Sequence, residues 1–524
     1  MRRLASVVCG CLCASAVVGV ASPRAGHIPA QAAPPVTGAI EGAREGTLDA
    51  GAGTMTQNRQ EKALDLRRST SPPGATTPRP LAAGEPALDG AWAGALQVGG
   101  VRLRLVVKIR RAAAGWVATV DSLDQNARDI PVGAVTVGGG RLTLDLPRIN
   151  ARYEARVDRE TLAGQWTQNG RVLPLDLTRT ATSPEVRPRA QEPRRPLPYD
   201  EIETAVENPP AGITLACTIT KPHGKGPFAG VVLFTGSGPQ DRDETLMGHK
   251  PFLVLSDAIT RAGVEVLRCD DRGVGKSTGA FANATTFDFA DDALAEVAAL
   301  RARPEVARAH VGIVGHSEGS TVAAIAAAKS ADVAFIVLMA GPALSGDQIL
   351  DLQRAWVSKA AGVSARKLAE SQAEWHKVYA ILKKEKDAGA AREKLRAIYD
   401  GLSDADRREI DHNGGFDAQV KEVLSPWFRT FITLDPRTFL AKVKVPVLAL
   451  DGERDRQVPP DRNLPEMRKA LAHDRDVTVR ELPGLNHLFQ TAETGAPVEY
   501  GHIDETMSPA ALTLVSDWIA HHGI

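Results

Sequence analysis

Val311-Gly312-Ile313-Val314-Gly315-His316-Ser317-Glu318-Gly319, running on into Ser320-Thr321-Val322-Ala323-Ala324-Ile325-Ala326-Ala327-Ala328-Lys329, is the stretch that decides the fold. Residues 311–314 are apolar or small and predict a short buried strand. The Ala-rich run from Thr321 to Lys329 predicts a helix directly behind it. Between them stands G-x-S-x-G. A serine on a sharp strand-to-helix turn is lifted clear of the sheet, and the residues two places to either side must lack side chains that would strike strand and helix. The spacing alone is weak, because Gly275-Lys276-Ser277-Thr278-Gly279 also matches it. That second match follows a polar loop and leads into Phe281-Ala282-Asn283-Ala284 with no helix at once behind it. Context therefore singles out Ser317 as the candidate nucleophile. It also points the Glu318 amide, at the positive end of the helix, toward a developing oxyanion.

Outward from this turn, apolar runs alternate with helical stretches from residue 201 to the end. Strands are predicted at Ile213–Ile219, Ala229–Phe234, Val264–Cys269, Val311–Val314, Val333–Met339, Val445–Leu450 and Val477–Leu482. Continuous β-rich runs fit a sheet buried on both faces, and the alternation implies a doubly wound, mostly parallel α/β sheet. The rhythm breaks between about 345 and 436, where a charged, helix-forming insertion is expected to lie over the sheet as a lid.

Functional groups of such sheets sit in loops at the carboxyl ends of strands. Asp455 lies just past the strand 445–450 and is the candidate acid, with Asp451 and Glu453 as fallbacks. His487, in Pro483-Gly484-Leu485-Asn486-His487 after the strand 477–482, is the candidate base, and His502 is its rival. The chain order Ser, acid, His suits the fold. Thr235-Gly236-Ser237-Gly238-Pro239 follows another strand, and the Ser237 amide is the expected second oxyanion donor. Trp356, Trp375, Trp427, Phe428 and Phe431 of the insertion either line an acyl pocket or pack the lid. Gly273-Val274-Gly275-Lys276-Ser277 imitates a phosphate loop, but Asp270 stands where its first glycine belongs. Asp270, Asp271 and Arg272 are instead expected to tie down their own loop. No His, Cys and acid cluster has metal-ligand spacing. Neither a cofactor nor a metal is expected.

The chain has 524 residues, 43% hydrophobic and 24% charged, with Lys plus Arg at 63 and Asp plus Glu at 63. That balance disfavours a nucleic-acid partner acting through a basic surface. Arg2-Arg3, the apolar Leu4–Val20 and the small Gly19-Val20-Ala21 predict a signal peptide over 1–21, hence an exported protein, periplasmic or extracellular, without a lipid anchor or a membrane span. Residues 22–86, poor in aromatics and apolar periodicity, read as a disordered tether. Residues 87–180 carry period-two alternation, as in Val101, Leu103, Leu105, Val107 and Ile109, with glycine turns between. About eight strands and no helix are expected there, as a small antiparallel barrel or sandwich with Trp92, Trp116 and Trp166 in its core. Residues 181–200, with five prolines, read as an interdomain linker. Cys217 and Cys269 fall in apolar runs and are expected as free buried thiols.

Residues 201–524 resemble bacterial α/β-hydrolases of the dienelactone-hydrolase-like or prolyl-oligopeptidase-like serine hydrolases. The resemblance rests on Gly236-Ser237-Gly238-Pro239-Gln240-Asp241-Arg242-Asp243, Asp270-Asp271-Arg272-Gly273-Val274-Gly275, Gly315–Gly319 and Leu485-Asn486-His487. Cys269 departs from the aromatic usual before Asp-Asp-Arg-Gly. Exported members with an extra β-domain resemble residues 87–180 through Asp121-Ser122-Leu123-Asp124-Gln125 and Gly164-Gln165-Trp166-Thr167-Gln168-Asn169-Gly170. The resemblance implies Ser317 as nucleophile, Asp455 as acid and His487 as base, and says little about substrate. The fold and triad suit esters generally, so hydrolysis of a small-molecule carboxylic ester through an acyl-enzyme is the leading reading. A serine peptidase or amidase with the same triad is the alternative; Arg242, Asp243 and Glu244 are the only charges suggestive of a peptide anchor. A binding protein with a vestigial hydrolase is a third.

Overall fold

The computed structural model describes residues 88–524, apart from short stretches at 99–100, 113–114, 126, 150, 169–170, 182–188, 361, 413–414 and 524, together with the backbone of 52–57 and 60–65. The expected signal segment and its three cysteines lie outside the described residues. Within the expected tether, Ala52–Gln57 and Gln60–Asp65 pair as an antiparallel hairpin.

Nine antiparallel strands between Gly90 and Thr180 form one sheet. Its two edge strands, Ala127–Pro131 and Ala134–Gly138, are consecutive in the chain, so two residues join opposite edges. Two residues bridge only ~10 Å, which requires the sheet to curl round on itself. The joining pair closes the seam: the Val132 amide donates to the Ala118 carbonyl at 3.1 Å and the Gly133 amide to the Asp145 carbonyl at 2.8 Å. The inward positions fill this barrel. Trp92 and Trp166 are fully buried there with Tyr153, while Trp116 packs half-buried against them. Nine strands stand where about eight were expected, and Ala127–Pro131 is a short one at the sheet edge. Two single turns of 3₁₀ helix, Leu123–Gln125 and Pro147–Ile149, also interrupt the strands.

The second sheet has eight strands, numbered here β1 (Tyr199–Asn208), β2 (Ile213–Pro222), β3 (Phe228–Phe234), β4 (Glu265–Cys269), β5 (Val306–His316), β6 (Ile336–Met339), β7 (Val447–Gly452) and β8 (Val477–Leu482). Their spatial order is β1-β2-β4-β3-β5-β6-β7-β8, with β2 antiparallel to its neighbours and β3 through β8 parallel. This is the α/β-hydrolase arrangement. Helix α1 (Pro251–Arg261) packs on one face, and α2 (Thr286–Arg301) and α3 (Glu318–Lys329) on the other. The insertion after β6 holds α4 (Gly346–Ala360), α5 (Ala365–Lys384), α6 (Ala388–Asp400), α7 (Asp404–His412), α8 (Gly415–Val423) and α9 (Pro426–Thr433). Among the described residues, no helix is long and apolar enough to cross a membrane.

Strand β1 starts inside the segment expected as linker. Its Ile202, Thr204 and Val206 alternate with Glu201, Glu203 and Glu207, so one face packs and the other meets water. The linker residues just before it are fastened down. The Arg189 guanidinium donates to the carbonyls of Gly501 at 3.0 Å, Ile503 at 3.2 Å and Gly248 at 3.3 Å.

Cys217 and Cys269 are not free thiols; they form a disulfide. Register decides this. The two residues sit directly opposite each other on antiparallel β2 and β4. The Asp270 amide donates to the Ala216 carbonyl beside them, which makes Cys217 and Cys269 a non-hydrogen-bonded pair, the kind whose side chains approach most closely. The apolar character of each run says nothing about that pairing.

Candidate active site

Ser317 joins β5 to α3 at φ 53° and ψ −118°, a conformation that costs on the order of 1–3 kcal/mol and persists only where its surroundings impose it. They do so here. A Cβ on Gly315 would stand 2.0 Å from the Gly319 carbonyl oxygen, and one on Gly319 2.2 Å from that of Phe234. The Ser317 amide donates to the Met339 carbonyl of β6 at 2.8 Å. The serine side chain makes no cap hydrogen bond to its helix, and its hydroxyl opens to a cavity of about 80 Å³ that His487 also lines. The hydroxyl and the imidazole are not hydrogen-bonded in this structure; such contacts commonly tighten only when substrate is bound.

Behind His487 stands the carboxylate. Its Nδ1 donates to Asp455 Oδ2 at 2.6 Å. Asp455 Oδ1 accepts the Gln457 amide at 2.7 Å and the Val458 amide at 2.8 Å. Asp455 is fully buried, so these three donors replace the water it has lost. Of the fallback acids, Asp451 is fully buried beside Asp455, and burial, then the neighbouring carboxylate, hold its carboxyl well above the usual range. Glu453 turns away and accepts the Gly484 amide. His502 is exposed.

Ser237 and Glu318 line the same cavity as the serine. Their amides make no hydrogen bond within the protein among the described residues, whereas the Gly236 amide donates to Glu244 Oε1 at 3.0 Å. The loop that carries Ser237 is held from β4. Asp271 accepts the Thr235 hydroxyl and the Gln240 amide, each at 2.8 Å, and Asp270 accepts Arg242 Nε at 2.9 Å. The acids after β4 thus reach back to the loop after β3, a longer range than the local bonds expected of them. Ser277, of the second G-x-S-x-G, accepts the Ala216 amide and donates to the Asp270 carbonyl, each at 2.8 Å, so it knits strands together.

Sequence reasoning missed the part played by Glu318's side chain. It is buried and accepts the Thr286 hydroxyl at 2.7 Å and the Trp427 indole N–H at 3.0 Å. The indole comes from lid helix α9, so one carboxyl next to Ser317 fastens the lid. Burial raises its pKa. Of the five lid aromatics, Phe431 lines the cavity and stacks on Trp427, Phe428 is buried within the lid, and Trp375 packs against Tyr379 and the Arg354 guanidinium. Apolar Leu344, Ile349, Leu434 and Val458 complete much of the cavity wall.

A family profile described as serine aminopeptidase, S33, matches residues 251–403, which include the elbow but neither Asp455 nor His487. An esterase of Thermotoga maritima, EstD, is 28% identical over 315 residues, 59% of this chain and 66% of its own length. The match thus spans just under two thirds of that esterase. Among solved structures, the α/β-hydrolase GrgF of a Penicillium species aligns over 62% of this chain and 99% of its own at 15% identity with a TM-score of 0.39. The esterase Est1E of Butyrivibrio proteoclasticus, solved with ferulic acid bound, aligns over 61% and 96% at 17% identity with a TM-score of 0.35.

Proposed function

We propose that this chain hydrolyses carboxylic esters through an acyl-enzyme on Ser317. The carrying observation is the His487–Asp455 hydrogen bond of 2.6 Å at the carboxyl ends of β7 and β8, opening on the cavity that Ser317 also lines. His487 Nε2 takes the Ser317 proton as the hydroxyl oxygen attacks the ester carbonyl carbon. Asp455 fixes the tautomer and stabilises the imidazolium that results. The amides of Ser237 and Glu318 donate to the oxyanion, each worth on the order of 3 kcal/mol in the barrier. His487 then gives its proton to the departing alkoxide. Water enters, His487 takes a proton from it as its oxygen attacks the acyl carbon, and the imidazolium returns that proton to the departing Ser317 oxygen, which releases the acid and restores both residues.

The matched profile raises the serine peptidase alternative. An aminopeptidase needs a free carboxylate for the substrate's ammonium group. The cavity's carboxylates are spent: Glu244 accepts from Gly236 and lies against His316, and Glu318 accepts from Thr286 and Trp427. Arg242 pairs with Asp270, and Asp243 with Arg268. These ties and the apolar wall favour an ester. The same proposal takes the protein as exported, which the disulfide supports, since such bonds persist in oxidising compartments.

Fluorophosphonate labelling of the wild type and of Ser317→Ala, followed by nitrophenyl esters against aminoacyl nitroanilides, tests the assignment. Labelling at Ser317 and ester turnover are expected. A Ser317→Ala protein that keeps most of its esterase activity, or a preference for nitroanilides, overturns it.

A further inference from the structure

The residue before the nucleophile takes no direct part in these steps. His316 closes β5 with its ring buried, and both ring nitrogens are engaged. Nε2 lies 2.9 Å from the carbonyl oxygen of His487, and Nδ1 lies 2.8 Å from Glu244 Oε1. A carbonyl oxygen can only accept, so Nε2 carries a hydrogen. The Glu244 oxygen already accepts the Gly236 amide at 3.0 Å. A neutral imidazole has one N–H. With that hydrogen on Nε2, the Nδ1 lone pair would face a carboxylate at 2.8 Å, which is repulsive.

We propose that His316 is an imidazolium paired with Glu244, and that this buried pair is a positioning device for the ester hydrolysis read above. It joins three loops. Through Glu244 it holds Gly236 beside the oxyanion donor Ser237; through its own backbone it adjoins Ser317; through Nε2 it fixes the loop of His487. Its charge also acts on the base, for the two imidazole centroids are 4.9 Å apart. A cation at that distance is close enough to act on the charge that the His487 ring takes up when it accepts the Ser317 proton. The inference rests on His487 being the base.

The titratable groups that act on His316 come from three elements: Glu244 from the loop after β3, Asp455 from the loop after β7 and His487 from the loop after β8. Burial pushes the His316 pKa down. The charge and hydrogen bond of Glu244, the His487 carbonyl and the charge of Asp455 push it up, and the balance is upward. The direction agrees with the donor count.

The test is a pH profile with a spectroscopic control, both on the full chain. In His316→Gln the cation beside the base is gone while Glu244 remains. The base must be unprotonated to act, so the acid limb of kcat/KM moves to higher pH, by about one unit for a charge at ~5 Å between the water and protein-surface limits. Activity at a pH on the acid limb falls about tenfold. A purely structural role would lower the whole profile and leave the limb in place. Nitrogen-15 histidine NMR of the wild type at pH 7 is expected to show one buried ring protonated on both nitrogens, and Glu244→Gln, which removes the counter-ion, to lose that signal. Ester hydrolysis with an unmoved limb in His316→Gln overturns the proposal, as does the absence of a doubly protonated ring in the wild type. If His316→Gln does not fold, the NMR of the wild type and Glu244→Gln decides. Failure of the esterase reading shows itself separately, as a wild type that neither turns over esters nor takes the fluorophosphonate at Ser317.

Discussion

Asp455→Asn isolates the part of the site that only the fold assembles. Asp455 Oδ1 is pinned by the amides of Gln457 and Val458 at 2.7 and 2.8 Å. Both are donors, so the asparagine must offer them its carbonyl oxygen. Its amide nitrogen is then forced into the place of Oδ2, 2.6 Å from His487 Nδ1. A donor there obliges Nδ1 to accept, which puts the ring hydrogen on Nε2, facing Ser317. The base can no longer take the serine proton. The side chain keeps its size and its backbone partners, so the protein should fold normally while turnover falls on the order of 10⁴. At ~1.4 kcal/mol per factor of ten, that is about 5.5 kcal/mol of transition-state stabilisation. Steady-state hydrolysis of a nitrophenyl ester at saturating substrate reads it, with thermal unfolding as the control. A folded Asp455→Asn protein retaining a tenth or more of wild-type kcat would refute the tautomer argument and return Asp451 to candidacy.

Other expectations follow from neighbouring contacts. Asp451 has a folded pKa raised by burial and by Asp455, so the folded state holds its proton above the unfolded pKa and loses stability as pH climbs toward the folded value. Asp451→Asn removes that cost, and its Tm at pH 8 should exceed the wild type's by ~2 °C or more, while the two converge below pH 4; a lower Tm at pH 8 would contradict this. The Cys217–Cys269 bond closes a loop of sequence separation 52, worth ~4 kcal/mol in the chain-entropy account. The double Ser variant should therefore unfold at markedly lower denaturant, and an unchanged midpoint would count against the bond. Trp427→Phe removes the lid's hydrogen bond to Glu318 and should raise KM for bulky esters about threefold to tenfold with a smaller change in kcat, which initial-rate kinetics can separate. Gly315→Ala drives a Cβ to 2.0 Å from the Gly319 carbonyl, and overpacking of that kind typically costs ~1–3 kcal/mol, measurable by urea titration.

Much of the hydrolase sheet was legible because its strands are continuous apolar runs, and burial on both faces leaves that mark on composition. Strand β1 escaped because only one of its faces is buried and its glutamates dilute the pattern. The elbow was legible for a steric reason: close approach of strand and helix admits glycine alone at 315 and 319, and that constraint is local. Asp455 and His487 were legible as candidates by their place after β7 and β8. The side-chain roles of His316, Glu244 and Glu318 were not, since each depends on a partner 72, 72 and 109 residues away in the chain.

The amino-acid sequence by itself determined the layers, the strained serine and the order of the three polar residues, because periodicity, glycine spacing and strand ends are properties of neighbours along the chain. Tertiary structure alone decided that Cys217 meets Cys269, that Asp455 rather than Asp451 backs the imidazole, and that Trp427 reaches Glu318. Each is a contact between distant segments, set by strand register and by which buried polar atoms still lack a partner once the sheet has closed. Local pattern carries no information about either.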